Sequence, residues 1–435
     1  MQIIKKIIVA ILTLESRVIL FKYRPFIVAI TGSVGKTSAK DAIYAVLKNH
    51  SKYVRKSEKS MNSELGLPLT VIGVPNAWHN PREWLRNIVQ GLRLIFRKTE
   101  YPDTLILEIG ADHPGDIKKV AKWLHPHVAV ITQVSRTPVH VEFFKSPEEV
   151  FEEKVSLIRA VRKGGTAVLL SEDSRLIAMR DELTNKKIAV VTYGTDDIAE
   201  VRGSEFSFEY TEYLKKTLVC RFKLNMGTDQ NTVTYKNPLG RTGMYPLLAA
   251  AAVGRACGVS FGDIISGLGQ YDAPKGRLNA LPGINGSIVI DDTYNSSPDA
   301  VHAALFTLRE LTCSGRKIAV LGDMLELGKY SAEEHRKVGR EVAGVANILY
   351  TVGQRSRGIA EEAVSLGMSP ENMKSFDSAH DAADFIYRDI RTGDIILVKG
   401  SQSMRMERVV KELLKDASEA STLLVRQEEE WLKKE

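Results

Sequence analysis

The sequence predicts an α/β protein of two consecutive domains, each built on a parallel sheet flanked by helices. From residue 26 onward, short runs rich in β-branched side chains alternate with helical stretches, which is typical of that architecture. A polar stretch with an alternating pattern interrupts this rhythm, which begins again at about residue 287. The chain is 435 residues long, enough for more than one buried core.

The first domain is expected over residues 26–273. Five parallel strands are predicted at residues 26–31, 104–109, 128–132, 167–170 and 188–192. Residues 200–237 alternate between polar and apolar side chains, which predicts a small antiparallel addition to this sheet. An alanine-rich helix over residues 246–257 and a turn-rich hinge over residues 271–276 follow.

The second domain is expected over residues 274–415 and is predicted to be Rossmann-like. Its β-branched runs predict strands at residues 287–292, 317–322, 348–352 and 394–399. Residues 416–435 are polar and amphipathic, and they are predicted to form a C-terminal tail helix.

The composition excludes several classes of protein. With 44% hydrophobic and 26% charged residues, the chain is not disordered throughout. Three widely spaced cysteines cannot build a disulfide framework, so a reducing cytoplasm is expected. The net charge is +7, but most of the chain is close to neutral, so we expect no nucleic-acid partner.

The positive charge is concentrated in two segments. Residues 1–25 and 81–98 each carry a net charge of +4, and both place apolar side chains at helical spacing. The uninterrupted apolar run of the first segment is far shorter than the roughly 20 residues of a membrane span. Each segment is predicted to be either a packed amphipathic helix or a helix at the inner membrane surface.

The strongest chemical signal follows the first predicted strand. Residues 31–38 read TGSVGKTS, a glycine-containing turn between a strand and a helix that exposes backbone N–H groups to a phosphate. The candidate ATP-binding residues here are Thr31, Gly32, Ser33, Val34, Gly35, Lys36, Thr37 and Ser38. Lys36 is placed to reach the β- and γ-phosphates, and the Thr37 hydroxyl to hold Mg²⁺. The first glycine of the general phosphate-loop pattern is replaced by Ile30, so only the shorter G-x-x-G-K-T is met. The first domain is therefore predicted to be a P-loop-type ATPase domain.

Other motifs occur in a fixed order after this loop. They read MNSELGLP (61–68), LEIGADHPG (107–115), HVEF (140–143) with Lys154 fourteen residues after His140, GRL (276–278), DDTYN (291–295), VLGDMLELG (320–328) and LVKGSQSMRM (397–406). Together with the loop, this set resembles the Mur ligase superfamily, the ATP-dependent amide-forming enzymes of peptidoglycan synthesis. The last three motifs are most similar to the members that add D-Ala-D-Ala to UDP-MurNAc-tripeptide, so the resemblance implies these two substrates.

The resemblance also implies the metal ligands. Glu108 ends an apolar strand beside the phosphate loop, where open α/β folds bind ligands, and it is assigned with Thr37 to a first Mg²⁺. His140 and Lys154 are assigned to a second Mg²⁺. Because an ammonium group cannot bind Mg²⁺, the resemblance implies that Lys154 is carbamylated by CO₂. Its neighbours Glu152 and Glu153 are expected to be solvated.

The remaining candidates contact nucleotide or substrate. Arg277, Asp292 and Asn295 are expected on the nucleotide side once the two domains close, with Arg277 and Lys36 as catalytic cations. Asn62, Ser63 and His113 are predicted either to contact phosphate or substrate or to have local capping roles. Lys399, Ser401 and Arg405 are candidates for the carboxylate of the incoming dipeptide, because cations suit that anion. Arg405 fits a surface salt bridge equally well.

Three features depart from the family pattern. Only 25 residues precede the first predicted strand, so the usual N-terminal uridine-binding domain is expected to be missing. Pro246 stands where the family has an adenine-binding asparagine. The turn before His140 looks about two residues longer than the family's turn.

Two alternatives stay open. One is another ligase of the superfamily, of the folylpolyglutamate or amino-acid-adding type, which the motifs near residues 324–328 and 398–409 disfavour. The other is a nucleotide-binding scaffold at the membrane without catalytic activity, which Lys36, Glu108, His140 and Lys154 disfavour.

Overall fold

Two sheets organise the chain in a computed structural model, which describes residues 2–58, 61, 64–78, 80–138, 140–211 and 217–432. The strands are β1 (Phe26–Thr31), β2 (Val54–Lys56), β3 (Thr104–Glu108), β4 (Val128–Ile131), β5 (Thr166–Leu170), β6 (Ala189–Gly194), β7 (Val201–Thr211), β8 (Thr217–Met226), β9 (Asp229–Tyr235), β10 (Asn279–Pro282), β11 (Ile288–Asp292), β12 (Lys317–Gly322), β13 (Ile348–Val352), β14 (Met373–Phe376) and β15 (Ile395–Lys399). The helices are α1 (Gln2–Tyr23), α2 (Lys36–Leu47), α3 (Gly66–Ile72), α4 (Pro81–Phe96), α5 (Asp116–Leu124), α6 (Pro147–Arg159), α7 (Ser174–Ile177), α8 (Arg180–Asn185), α9 (Met244–Ala256), α10 (Phe261–Gly269), α11 (Pro298–Glu310), α12 (Ser331–Val342), α13 (Arg357–Ser365), α14 (Ala379–Asp389), α15 (Glu407–Leu413), α16 (Ala420–Leu423) and α17 (Glu429–Leu432).

The first sheet has nine strands in the order β2-β3-β1-β4-β5-β6-β7-β8-β9. Its strands are parallel from β2 through β7, whereas β7, β8 and β9 form an antiparallel meander. This confirms the predicted α/β class with a small antiparallel addition. The central strands β3 and β4 are buried along their whole length, and β1 is buried after its first residue, because helices cover both faces of the sheet.

The second sheet has six strands in the order β10-β11-β15-β12-β13-β14. Only β10 is antiparallel to its neighbour. The strand β1 ends at the phosphate loop, and β11 ends at Asp292. Because ligands bind at the carboxyl ends of parallel strands, these two ends position the candidate site.

Two helices form an outer layer on the first sheet. The helix α1 packs on α3 and α4, and Lys22 near its end donates to the carbonyl groups of Leu94 and Ile95 at 2.8 and 2.9 Å. Asn80 caps the start of α4 by accepting from the backbone N–H of Arg82. Both predicted basic helices are therefore formed. Within the described residues no helix combines the length and hydropathy needed to cross a membrane.

The C-terminal tail differs from the prediction. Instead of one helix over residues 416–435, the described part up to residue 432 has a 3-10 turn (Ala417–Glu419) and the single-turn helices α16 and α17. The tail is held by Arg426, which donates to the carbonyl groups of Thr293 and Tyr294. Side-chain anchoring rather than helical periodicity thus fixes the path of these residues.

Candidate active site

The phosphate loop spans the end of β1 and the start of α2. Gly32 has a φ of 148°, and a Cβ atom there would lie 1.9 Å from the Thr132 hydroxyl, so only glycine fits. The Ser33 N–H donates to the Gln133 carbonyl at 2.8 Å, which ties the loop to the segment after β4. Gly35, with a φ of 85°, turns the chain into α2. The loop therefore presents the N-terminus of a helix to the adjoining cavity.

Glu108 lies beside the loop, as the strand-end prediction requires. The Thr37 hydroxyl donates to the buried Glu108 carboxylate at 3.2 Å, and the Lys40 ammonium lies 3.8 Å from the other carboxylate oxygen. A hydroxyl and a carboxylate in contact suit Mg²⁺, which commonly takes one or two carboxylates together with phosphate oxygens. Among the described residues, no group of three or more His, Cys, Asp or Glu side chains could hold a metal ion by itself. The pair therefore fits an ion whose remaining ligands come from a nucleotide and water.

Lys36 and Lys154 meet at one carbonyl group. Both ammonium groups donate to the Gly32 oxygen, at 2.7 and 3.0 Å respectively. Burial and the nearby Lys36 charge lower the pKa of Lys154 to about 7, and burial lowers that of Lys36. Lys154 thus has a substantial neutral fraction near pH 7, and a neutral amine is the form that reacts with CO₂.

His140 contacts acidic side chains rather than Lys154. Its imidazole lies 2.8 Å from Glu326 of the second domain and 3.5 Å from Asp112. Both His140 and Glu326 have a positive φ, a conformation that is uncommon for residues other than glycine. The charge of Asp112 partly opposes the lowering of the pKa values of Lys36 and Lys154 that burial causes. Sequence reasoning missed Asp112 and Glu326, although both lie inside motifs that it identified.

A cavity of about 860 Å³ opens between the two domains. The phosphate-loop residues that line it are Val34, Gly35, Thr37 and Ser38. From the second domain, Arg277 and Asp292 line it, and the Arg277 guanidinium lies 4.1 Å from the centre of the Tyr294 ring. Arg277 and Asp292 therefore line the same cavity as the phosphate loop. Asn295 lies nearby, where its carbonyl accepts from Lys399 at 2.9 Å.

Lys399 does not fit the predicted role in binding the incoming carboxylate. Its side chain is 1% exposed, and its ammonium lies 2.6 Å from the Asp292 carboxylate. Burial lowers the pKa of Lys399 and raises that of Asp292, while each partner's charge opposes the shift. We therefore replace that prediction: Lys399 holds Asp292 and the carbonyl of Asn295 in place.

Ser401 and Arg405 are also used inside the second domain. The Ser401 hydroxyl accepts from the Leu325 N–H at 2.9 Å, beside Glu326. Arg405 is buried and bonded to Glu407 at 2.6 Å and to the Trp431 carbonyl at 3.0 Å. For Arg405 the structure favours the salt-bridge alternative, although the partner is buried rather than on the surface.

The first-domain wall of the cavity has Pro246 where the family pattern predicts an asparagine amide. Pro246 lies in the first turn of α9, where its missing N–H leaves no hydrogen bond unmade. It lines the cavity with Tyr245, whose hydroxyl donates to Glu172 at 3.0 Å. Arg175 lies 4.4 Å from the Phe151 ring and lines the same wall. An aromatic and proline surface thus replaces the expected amide.

Three more residues, Asn62, Ser63 and His113, were predicted to contact phosphate or substrate. His113 is exposed, and its ring lies 5.0 Å from that of Phe143, in the turn that follows His140. Asn62 and Ser63 lie outside the described residues.

Glu153, expected to be solvated, is buried and accepts from the N–H groups of Ile117 and Lys118 at 2.7 and 3.0 Å. It caps α5 directly beside Lys154.

Comparison with known proteins agrees with this arrangement. Residues 30–254 match the Mur ligase middle domain, and residues 276–402 match the Mur ligase, glutamate ligase domain. The chain is 30% identical over 417 residues to the UDP-N-acetylmuramoyl-tripeptide–D-alanyl-D-alanine ligase of Mycobacterium leprae, covering 90% of this chain and 74% of that protein. The ligase of the same name from Bacillus subtilis is 27% identical over 389 residues, covering 89% and 76%. The MurF ligase of Thermotoga maritima in complex with ADP superposes with a TM-score of 0.74 at 25% identity, covering 95% and 84%.

The fold and the cavity define a nucleotide-dependent ligase in which two α/β domains close around one site. The chain belongs to the Mur ligase family. This confirms the resemblance that the phosphate loop and the motifs after it suggested.

Proposed function

We propose that the protein is an ATP-dependent ligase that joins D-Ala-D-Ala to UDP-MurNAc-tripeptide in peptidoglycan precursor synthesis. The observation that carries this proposal is the shared cavity, which the phosphate loop of one domain and Arg277 of the other both line, with Glu108 bound to the Thr37 hydroxyl of that loop. The relatives from Mycobacterium leprae and Bacillus subtilis, whose names state this activity, support the choice of substrates.

The reaction needs an activated carboxylate, because a carboxylate and an amine do not condense in water. The γ-phosphoryl group of ATP passes to the acceptor carboxylate, which gives an acyl phosphate and ADP. The D-Ala-D-Ala amine then attacks the acyl carbon, phosphate leaves, and the amine loses a proton. In the first step the loop N–H groups, Lys36 and Arg277 hold the phosphates and offset their charge.

Mg²⁺ supplies charge neutralisation at the transferring phosphoryl group. Thr37 and Glu108 would hold a first ion. A second ion would be held by His140 and by Lys154 once its amine carries a carbamate, which turns a cation into an oxygen donor. The Asp112 carboxylate lies 3.5 Å from the His140 imidazole and can hold it in position.

The enzyme acts in the cytoplasm in this proposal, and it contacts the inner membrane surface through residues 1–25 and 81–98. The contact would keep the ligase at the membrane while its cavity stays open to small substrates.

ADP release measured with both substrates tests the activity. We expect turnover that needs ATP, UDP-MurNAc-tripeptide and D-Ala-D-Ala together, and a loss of at least roughly 100-fold in Lys36→Ala. Turnover with another acid and amine would instead favour a different ligase of the family. If the protein binds nucleotide but shows no turnover with any pair, the result would favour a scaffold without catalytic activity. The feature that supports this alternative is Pro246, which stands in place of the adenine-binding amide.

A further inference from the structure

We propose that α1 and α4 together form a docking surface for an anionic lipid bilayer, in which two apolar stripes enter the membrane and basic rims contact the lipid phosphates. This inference deepens the proposed membrane contact, and it does not depend on the ligase chemistry. It rests on three observations: large exposed apolar side chains, their alignment on two parallel helices, and the position of the charges around them.

Each helix leaves a stripe of large apolar side chains in water. The stripes consist of Ile7, Ile11, Leu14, Val18 and Phe21 on α1, and of Leu85, Val89, Leu92 and Phe96 on α4. Phe21 is 75% exposed and Phe96 is 81% exposed. Spacings of three and four residues put each set on one face of its helix. Contiguous exposed apolar side chains on this scale are typical of an interaction surface.

The two helices run side by side in the same direction. Glu15 of α1 lies against Gly91 of α4, where an added Cβ would come within 2.1 Å of the carboxylate. Seven residues later Lys22 donates to the carbonyl groups of Leu94 and Ile95. The contacts thus advance along both chains together, so the two helices run in the same direction.

Helical geometry then places both stripes on the same side of the contact. Successive residues are about 100° apart. On α1, Glu15, which faces α4, lies about 100° from Leu14 in one rotational sense. On α4, Gly91, which faces α1, lies about 100° from Leu92 in the opposite sense. Because the two helices run in the same direction, these opposite senses place the two apolar stripes on the same side of the helix contact, next to each other.

The same geometry puts the cations on the outer edges. Arg17 lies about 60° beyond Leu14 on the side away from α4, and Arg93 lies about 100° beyond Leu92 on the side away from α1. The exposed basic residues along these edges are Lys6 and Arg17 of α1, and Arg82, Arg86, Arg93 and Arg97 at and beside α4. Each helix has a single acidic residue: Glu15 is buried, whereas Glu83 lies 3.7 Å from Arg86 and offsets the charge of that one rim cation.

A bilayer fits this surface better than a second copy of the chain. Two copies packed stripe to stripe would bring arginine rims against arginine rims, which is unfavourable. An anionic bilayer instead offers phosphates for the rims and acyl chains for the apolar residues between them. Since no described helix could cross a membrane, the contact is with the surface.

Flotation with lipid vesicles tests the proposal on the full chain. We expect the protein to float with phosphatidylcholine vesicles that contain 30% phosphatidylglycerol at low salt, and to bind pure phosphatidylcholine vesicles much less. Phe21→Ser/Phe96→Ser should weaken binding at least roughly tenfold, because both side chains enter the acyl region. The control Ile198→Ser/Leu366→Ser replaces two exposed apolar residues elsewhere, 59% and 55% exposed, and should bind like the unaltered chain.

A second flotation experiment tests the basic residues. It compares the variant Arg82→Gln/Arg86→Gln/Arg93→Gln/Arg97→Gln with the control variant Lys52→Gln/Lys119→Gln/Lys163→Gln/Lys415→Gln. Removing the rim should cost roughly 100-fold in vesicle binding, whereas the control should change it little. All variants should keep ADP release in solution, which shows that they fold. No flotation of the unaltered chain would overturn the proposal even with ligase activity intact. Overturning results are also flotation that neither variant reduces, and a lipid-free dimer that Phe21→Ser/Phe96→Ser dissociates.

Discussion

Lys399 is a buried lysine that is paired with Asp292. A lysine that binds substrate must instead be accessible to the substrate. We expect Lys399→Met to lower the free energy of unfolding by about 3–5 kcal/mol, because Asp292 would be left as an unpaired buried charge. Urea denaturation measures this. The double variant Lys399→Met/Asp292→Leu removes both charges and should recover part of the loss. Unchanged stability together with a raised KM for D-Ala-D-Ala would restore the original prediction of substrate binding.

Lys154 has the properties that carbamate formation needs. Its pKa of about 7 keeps the amine largely neutral above pH 7 and protonated below it. We expect ¹³C NMR with labelled bicarbonate to show a carbamate signal at pH 8 that weakens toward pH 6. Lys154→Ala should lose the signal and at least roughly 100-fold in kcat, whereas the exposed Lys163→Ala should keep both. A carbamate signal that survives in Lys154→Ala would contradict the assignment.

Single residues were predictable from sequence where one local rule decides their position. Thr37 and Glu108 are 71 residues apart, yet both follow from the rule that parallel strands end at one edge. Asp112 and Glu326 were not predictable, because their roles arise only when separate loops approach His140. The role of Lys399 was mispredicted, because the sequence does not show that its ammonium group pairs with the Asp292 carboxylate.

At the scale of elements, buried strands were the most predictable feature. Continuous β-branched runs predicted β1, β12 and β13 with the observed bounds, because only a strand covered on both faces has that pattern. The strand β2 was missed, since its three half-buried residues have no such pattern. The tail was mispredicted as one helix because its path depends on Arg426 and its distant partners.

The contact between α1 and α4 contains a buried acid, which makes it sensitive to pH. Burial raises the pKa of Glu15 to about 7, and among the described residues neither carboxylate oxygen has a hydrogen-bond partner. Between the ordinary value of 4.5 and about 7, the folded chain keeps a proton that the unfolded chain has lost. The free energy of unfolding should therefore fall as the pH rises through this window and stay level above it.

Glu15→Gln should remove this dependence and stabilise the protein at pH 8 by about 2 kcal/mol. Chemical denaturation at several pH values between 4.5 and 8.5 measures it. The exposed Glu100→Gln is the matched control and should leave the curve unchanged. If the curves of the unaltered chain and Glu15→Gln run parallel, the carboxylate is ionised at the contact and the interpretation is wrong.

At the scale of the whole molecule, the active site exists only where the two sheets face each other. The strand β1 delivers the phosphate loop, and the segment before β10 delivers Arg277 to the same cavity. The 2.8 Å contact of His140 with Glu326 and the hydrogen bond from Thr137 to Glu334 join the domains at its edge. The site therefore depends on domain closure as much as on any single motif.

Arg277 tests this dependence, because we propose it as the catalytic cation that the second domain supplies. We expect Arg277→Ala to lower kcat/KM for ATP roughly 100-fold, since a cation facing the transferring phosphoryl group is lost. Arg277→Lys keeps the charge but loses the planar stacking on Tyr294, so its activity should lie between the two. Steady-state ADP release measures the effect on catalysis, and calorimetric ADP binding measures the effect on nucleotide affinity. The exposed Arg357→Ala is the control in the same domain. Full activity in Arg277→Ala would mean that the first domain binds and activates ATP alone, and that closure serves only the second substrate.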